Sequence, residues 1–267
     1  MINLLFFSLF LWQDPSISQY VQYQEGNMPL VISAPHDGHL KPGSMADRKS
    51  GVKVRDLGAG VIAKHLSDEI YLRSGRRPYL ITTTLHRIKC DMNREIGEAA
   101  QGDEVAEKVW REYHQSIKQA LASAKKDGGG KALLIDIHGH GHPNDWIEVG
   151  HAAPLDGSEW ISGATSVGAY LSDQGFKAVP SPEIPDPGEE KYFSGGYITR
   201  HYRTKDIRTI QFELSSPMRK KKVRLDTAQR IANALSEFIP VHFVMPKFSP
   251  EVEFVTEENR YKSFYKK

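Results

Sequence analysis

Three histidines alternate with two glycines in His138-Gly-His-Gly-His142, directly after the apolar run Ala132 to Ile137. Imidazoles suit zinc and other borderline metals, and glycines let backbone come close to whatever is bound. One histidine at a turn would read as a solvated residue. Three at alternate positions, with Asp136 two residues before the first, read as a site, and Asp136 is placed to orient an imidazole from behind. A second histidine-bearing turn, Ala34-Pro-His-Asp-Gly-His39, follows the apolar run Pro29 to Ser33. A third polar stretch, His86-Arg-Ile-Lys-Cys-Asp-Met-Asn-Arg94, follows Pro78 to Leu85. Its arginines offer planar forks matched to a carboxylate or a developing oxyanion. Glu213 ends the apolar-rich segment Arg208 to Leu214, where a carboxylate is costly unless paired or functional.

In chain order the set is His36, then Arg87 with Asn93 and Arg94, then His138, then Glu213. Two histidines plus a carboxylate make a catalytic zinc site with an open position for water. A nearby free carboxylate would take that water's proton, and arginines would hold an acidic substrate and stabilise the oxyanion. Such a constellation describes metal-assisted hydrolysis of an amide. Gly195 and Gly196, in the aromatic stretch Tyr192 to Tyr202, would either admit a ligand close to backbone or form a turn before a helix. Asp56 would either cap a helix or aim its carboxylate at the site. His151 is a weaker site residue, and His114, inside a helical pattern, reads as structural.

Positioning these residues requires a sheet. Short runs at Pro29–Ser33, Pro78–Leu85, Ala132–Ile137, Trp146–Gly150, Phe176–Val179 and Arg208–Leu214 predict strands. Helical spacing predicts helices over Asp56–Ser74, Asp103–Lys126, Glu159–Ser172 and Asp226–Phe238. Strands alternating with helices give an α/β fold, a three-layer sandwich around a mostly parallel mixed sheet. Every unusual polar cluster falls just after a strand, where open α/β sheets bind ligands. If the first strand and the one ending at His138 are parallel neighbours, His36 and the triple-histidine turn share an edge. The Pro-rich, acidic stretch Ser181–Glu190 reads as a surface loop in lid position, and residues from Val241 onward as an edge strand and basic tail.

At 267 residues, 39% of them hydrophobic, the chain can bury one sizeable core. A single catalytic domain over residues 19–267 is expected. With 25% charged residues and a net charge of +2, neither disorder nor a nucleic-acid footprint is indicated. Arg219-Lys-Lys-Lys222 is local and reads as a solvated loop before a helix. Leu4 to Trp12 is apolar but shorter than the roughly 20 residues that span a bilayer. It resembles the apolar region of a signal peptide, with small residues at Ser16-Ile-Ser18, although no Lys or Arg precedes it. Residues 1–18 would then be removed and the protein secreted or periplasmic; otherwise it is cytoplasmic. The single Cys90 rules out an intrachain disulfide.

Five short motifs, Ser33-Ala-Pro-His-Asp-Gly38, Arg87 through Asp91-Met-Asn-Arg94, Ile135-Asp-Ile-His138, Gly195-Gly-Tyr-Ile-Thr199 and Ile210-Gln-Phe-Glu213, occur in this order. Together they resemble the N-formylglutamate amidohydrolase family, which shares its fold with the zinc carboxypeptidases. The resemblance implies a phosphorylase/hydrolase-like fold and a zinc-dependent amidohydrolase acting on a small molecule or peptide with a free carboxylate. It implies His36 and His138 as ligands to Zn2+, Glu213 as general base, and Arg87, Asn93 and Arg94 as substrate binders. Zinc carboxypeptidases carry a Glu three residues after the first His, where this chain has His39, so the third ligand must come from elsewhere. Asp56 is favoured, with His39, Asp47 and His140 as the alternatives. A carboxypeptidase-like peptidase and a non-catalytic binding protein for an acidic ligand are the competing readings.

Overall fold

The structure is a computed structural model describing residues 19–154 and 158–246. Its strands are β1 (Val21–Gln24), β2 (Leu30–Ala34), β3 (Tyr79–Thr83), β4 (Ala132–Gly139), β5 (Ile147–Gly150), β6 (Ala178–Val179) and β7 (Ile207–Leu214). Its α-helices are α1 (Ala59–Ser74), α2 (Ile96–Ala100), α3 (Glu104–Asp127), α4 (Val167–Asp173), α5 (Tyr197–Tyr202) and α6 (Arg224–His242). The strands form one mixed sheet in the order β1-β3-β2-β4-β7-β5-β6. The central strands β3, β2, β4 and β7 are parallel, β1 pairs antiparallel with β3, and β5 pairs antiparallel with β7 and parallel with β6. This is the three-layer α/β sandwich expected from the alternation of elements.

Both faces of the sheet are covered, which is why its central strands read as continuous apolar runs. Strand alternation divides them. Leu30, Ile32, Leu133, Ile135, Ile137 and Phe212 pack against α1, α4 and α6 through Ile62, Leu66, Leu171, Ile231, Leu235 and Phe238. Val31, Ile81 and Leu134 face the other way, onto the stripe Val109, Tyr113, Ile117 and Leu121 of α3 and onto Ile198 of α5. Each such aliphatic side chain, once buried, is worth about 1.5–3 kcal/mol relative to exposure. Helix α3 is amphipathic and firmly ended: the Asp103 carboxylate accepts from Ala106 N–H at 2.9 Å, and Lys125 and Lys126 sit in its last turn.

Several boundaries differ from the sequence expectation. Helix α1 starts at Ala59, not Asp56, and its first amides are capped by Asp37, whose carboxylate accepts from Gly58 and Gly60 N–H at 3.1 Å each. Asp56 is thereby left outside the helix, in the loop before it. The helix expected from Glu159 begins only at Val167, because Glu159 Oε1 accepts from Thr165 N–H at 2.6 Å and closes a turn instead. The edge strand expected after Val241 is absent among the described residues. Val241 and His242 complete α6, which continues through Pro240, and residues 247–267 lie outside the description. The edge position is filled by β1, too short to stand out in the sequence. The candidate signal segment, residues 1–18, also lies outside the described residues. No helix among the described residues is long and apolar enough to cross a membrane.

Candidate active site

Two rows of polar side chains cross the C-terminal end of the sheet. Register pairs Ser33 with Asp136 and Asp136 with Gln211 in one row. It pairs His138 with Glu213 and Glu213 with Glu148 in the next. Apolar residues occupy the opposite face at these levels, so the polar rows are the strand alternation of β4, β7 and β5 carried to the sheet's edge.

His36 leaves β2 through Ala34-Pro35 and His138 is the last inward side chain of β4, so parallel pairing of these strands brings the rings together, 4.7 Å between centroids. The loop before α1 supplies Asp56 between them. Its Oδ2 lies 3.2 Å from His36 Nδ1 and 3.0 Å from His138 Nδ1, and Gly139 N–H donates to the same oxygen at 3.3 Å. All three side chains are buried, and their donor atoms lie within 4.8 Å of one another. Each imidazole is held from behind: His36 Nε2 lies 2.6 Å from Asp91 Oδ1, and His138 Nε2 lies 2.6 Å from Asp136 Oδ2. A proton on each Nε2 satisfies those carboxylates, and both Nδ1 atoms converge on Asp56 Oδ2, where their lone pairs would face a bound cation. This is the donor set and backing that a divalent metal with nitrogen and oxygen ligands requires.

The electrostatics agree with the geometry. Burial alone would push His138 down, but the Asp136 carboxylate and the hydrogen bonds to Asp136 and Asp56 hold it well above the usual imidazole value. Burial would likewise raise Asp56 and Asp91. The neighbouring imidazoles outweigh it for Asp56, and His36 and the arginines do so for Asp91, so both carboxylates stay well below their ordinary range. The pocket therefore favours positive charge between these three side chains. Glu213 differs: burial, with Asp56, Glu148 and Asp136 adding to it and His138 partly offsetting it, pushes its carboxyl up to about 8. A carboxyl poised near neutrality beside such a cluster is placed to accept and return a proton.

A cavity of about 680 Å³ opens over these groups, lined by His36, Asp56, Arg87, Asn93, Arg94, His138, Gly195, Gly196 and Glu213 among others. All the sequence-predicted site residues thus meet in one place, but not in equivalent ways. Arg87 is buried and committed to structure as well as to the cavity: its Nε donates to Asp91 Oδ2 at 2.9 Å and its Nη1 lies 3.7 Å from Asp56 Oδ1. Arg94 is half-buried at the rim, its Nη1 donating to the Asn93 carbonyl at 2.8 Å. Asn93 Oδ1 accepts from Ile198 N–H at 2.8 Å and its amide nitrogen lies 3.1 Å from His138 Nε2. Gly196 is required by this residue: a Cβ there would lie 2.1 Å from Asn93 Nδ2. Both glycines line the cavity, as the sequence suggested, and Gly196, directly before α5, also makes room for Asn93.

Of the alternative third ligands, His39 is exposed, Asp47 pairs with Lys89 at 2.7 Å on the surface, and His140 turns away toward β5. His114 is buried in the α3 core, with Nε2 3.0 Å from the Met92 carbonyl and Nδ1 2.7 Å from Tyr202 Oη, and burial lowers it to about 3. His151 lies against Trp160, apart from the cavity. Arg219, read in the sequence as part of a solvated basic loop, is instead drawn to the cavity wall. Its guanidinium donates to the carbonyls of Leu214, Leu57 and His140 at 2.8–3.0 Å and fills the space that a Cβ on Gly139 would need. The sequence reading also missed the anchoring of His36 by Asp91 and the cavity arginines Arg55 and Arg200.

Fold and site define a three-layer α/β protein with its polar centre at the C-terminal edge of the sheet. A model of the N-formylglutamate amidohydrolase family matches residues 97–218, a span that includes His138 and Glu213 and begins after His36, Asp56 and Asp91. An N-formylglutamate deformylase of Pseudomonas putida is 25% identical over 240 residues, covering 74% of this chain and 84% of that protein. Two solved structures share the fold. One is an N-formylglutamate amidohydrolase from Ralstonia eutropha JMP134, with a TM-score of 0.60 at 13% identity over 84% of this chain and 99% of that one. The other is a gene product of Agrobacterium tumefaciens, with a TM-score of 0.55 at 14% identity over 83% and 97%. Over residues 97–218 the chain is thus similar to the N-formylglutamate amidohydrolase family, and the Pseudomonas putida deformylase extends that similarity across most of its length.

Proposed function

We propose that the protein is a zinc-dependent amidohydrolase that cleaves an N-acyl amino acid of the N-formylglutamate kind, or a small acidic peptide. The observation that carries this reading is the convergence of His36 Nδ1, His138 Nδ1 and the Asp56 carboxylate, each imidazole backed by its own aspartate. These three would hold the metal, which when bound supplies Lewis acidity toward the amide carbonyl and toward water.

The remaining work falls to side chains of the chain itself. Glu213, opposite His138 in register, takes the proton of the attacking water and delivers it to the departing nitrogen. Arg87 holds Asp91, and through it His36, while presenting positive charge beside the reacting carbonyl. Asn93 fixes the wall between His138 and α5. The substrate's free carboxylate is captured by rim arginines: Arg94, which is half-buried, and Arg200, whose Nη1 donates to Gly195 O at 2.6 Å.

The test combines metal analysis with turnover. Chelator-free protein should contain zinc that His36→Ala/His138→Ala loses, and N-formyl-L-glutamate should be hydrolysed faster than N-formyl amino acids with neutral side chains. Glu213→Gln should bind substrate and not turn it over. Equal binding and no turnover in the wild type and Glu213→Gln, with zinc supplied, would leave a binding protein for an acidic ligand. The apolar run Leu4 to Trp12 supports a further proposal, export with removal of residues 1–18. Intact mass of the mature protein tests it, and an uncleaved chain from the native source would refute it.

A further inference from the structure

Glu148 has no part in the chemistry above. Alternation in β5 sends Ile147 and Val149 into the core under α6 and Glu148 to the opposite face, where it is fully buried. One of its oxygens is fixed: Oε2 accepts from Phe193 N–H at 2.8 Å. The other, Oε1, faces two imidazoles, 2.7 Å from His142 Nδ1 and 3.6 Å from His140 Nδ1. His140 is buried with Nε2 3.0 Å from the Trp146 carbonyl. That contact places the ring proton on Nε2 and leaves the Nδ1 lone pair, which has only a long contact with His142 N–H at 3.2 Å and would exchange it for a metal. The His142 ring is stacked on Phe193, 4.7 Å between centroids, and borders the same cavity as the first cluster.

This repeats the construction of the first centre: two Nδ1 atoms around one carboxylate oxygen, with a ring nitrogen anchored from behind. Zinc bonds of about 2.0–2.1 Å in a tetrahedron place donor atoms about 3.3 Å apart. The observed 2.7 and 3.6 Å bracket that spacing. The two clusters are separate. His138 and Glu148 both oppose Glu213, from either side of β7, so their strands are two apart, or about 10 Å. A bridged metal pair needs about 3.5–4 Å.

We propose that His140, His142 and Glu148 form a second site for a divalent transition metal, independent of the first and sharing its cavity. Two imidazoles with one carboxylate favour zinc and its neighbours over magnesium or calcium. Three protein ligands leave a coordination position free, and His142, 16% exposed, marks the side on which it meets the cavity.

Zinc stoichiometry after chelator treatment and equilibrium dialysis tests this directly. Wild type should hold two zinc ions per chain, His142→Ala one, His36→Ala/His138→Ala one, and the combined variant none. His142 is partly exposed at a turn, and Glu148→Gln, which keeps an acceptor for Phe193 N–H, serves as a second variant if His142→Ala does not fold. One zinc in the wild type, kept by His142→Ala and lost from His36→Ala/His138→Ala, would overturn the second site and reduce the cluster to a His142–Glu148 hydrogen bond. Two zinc ions retained in His142→Ala and in Glu148→Gln would also overturn it, as would a zinc-free wild type. One zinc lost in His142→Ala and kept in His36→Ala/His138→Ala would uphold this site and refute the proposed catalytic one.

Discussion

Asp136→Asn isolates the charge behind His138 from the shape that carries it. Asp136 is fully buried and makes two short contacts: Oδ1 accepts from Ser33 Oγ at 2.6 Å and Oδ2 meets His138 Nε2 at 2.6 Å. An asparagine of the same shape can turn its oxygen to the imidazole N–H and its amide to Ser33 Oγ, which can accept. The cost is the Ser33 hydroxyl, which gives up its acceptor, so the fold should survive with a loss of about 1–3 kcal/mol. What disappears is the negative charge that makes Nδ1 a stronger donor. Loss of such a partner typically costs about 10–100-fold in metal affinity, or about 1.4–2.8 kcal/mol. Competition of Asp136→Asn against a chromophoric chelator at fixed pH reads the affinity, and a thermal melt of the metal-free protein reads the fold. Asp91→Asn is the contrasting variant. Asp91 also faces Arg87 Nε at 2.9 Å and Arg48 Nη1 at 3.7 Å, both buried, so neutralising it leaves Arg48 without a carboxylate partner and Arg87 with Asp56 alone, and should cost about 3–5 kcal/mol of stability besides. If Asp136→Asn binds zinc within about twofold of wild type while folded, well inside the tenfold lower bound, the assignment of His138 as a backed ligand is wrong.

Glu213 and His138 set the pH response of the metal-free protein. Both are protonated more readily folded than unfolded, so the stability each contributes is lost as pH rises through its folded value. An unfolded glutamate is already ionised above pH about 5 and Glu213 in the fold only above about 8, so the melting temperature should fall between about 5 and 8, with His138 adding to the fall above about 7. Glu213→Gln should flatten that slope, and a slope unchanged in the variant would show that Glu213 titrates normally. Arg94→Ala should lower kcat/KM on an acidic substrate about 10–100-fold, mostly through KM, because a charge-assisted hydrogen bond is worth about 1.5–3 kcal/mol. An unchanged KM would place carboxylate capture elsewhere. Gly196→Ala should push Asn93 from its place between His138 and Ile198 N–H, lowering turnover with little change in far-UV circular dichroism. Full activity would show that Asn93 is dispensable.

The strand ends were legible because each buried strand is a short apolar run that stops at its first polar residue. His36, Arg87, His138 and Glu213 all follow or end such runs, and parallel pairing of β2 with β4 and of β4 with β7 then gathers them. Partners that depend on packing were not legible. Asp91 touches His36 across 55 residues of chain, and nothing local distinguishes it from a surface acid. Arg48 lies in a polar stretch with no apolar periodicity to mark it, yet it is buried beside Asp91. In sequence, His138 and His140 are equivalent, two residues apart. They separate because β4 ends at Gly139: His138 still points from the strand toward Asp56, whereas His140 pairs its N–H with the Leu214 carbonyl and turns its ring toward Glu148.

Register holds the two polar rows in place. β4 and β7 pair over eight positions, Ala132 with Ile207 through Gly139 with Leu214. A slip of one residue would turn Asp136, His138, Gln211 and Glu213 into the apolar layer under α6, and would bring Ile135, Ile137 and Phe212 into the cavity. The apolar face therefore fixes the polar one: the same alternation that buries Ile137 and Phe212 places His138 opposite Glu213. The inner row, Ser33, Asp136 and Gln211, then acts as a platform. Asp136 holds the His138 imidazole, and Gln211 Nε2 donates to Glu213 Oε1 at 2.8 Å. Each supporting residue precedes by two, on the same strand, the residue it holds. The precision of the outer row is thus set by strand geometry, and only Asp56 and His36 rely on loops, one tethered by Gly139 N–H and the other by Asp91.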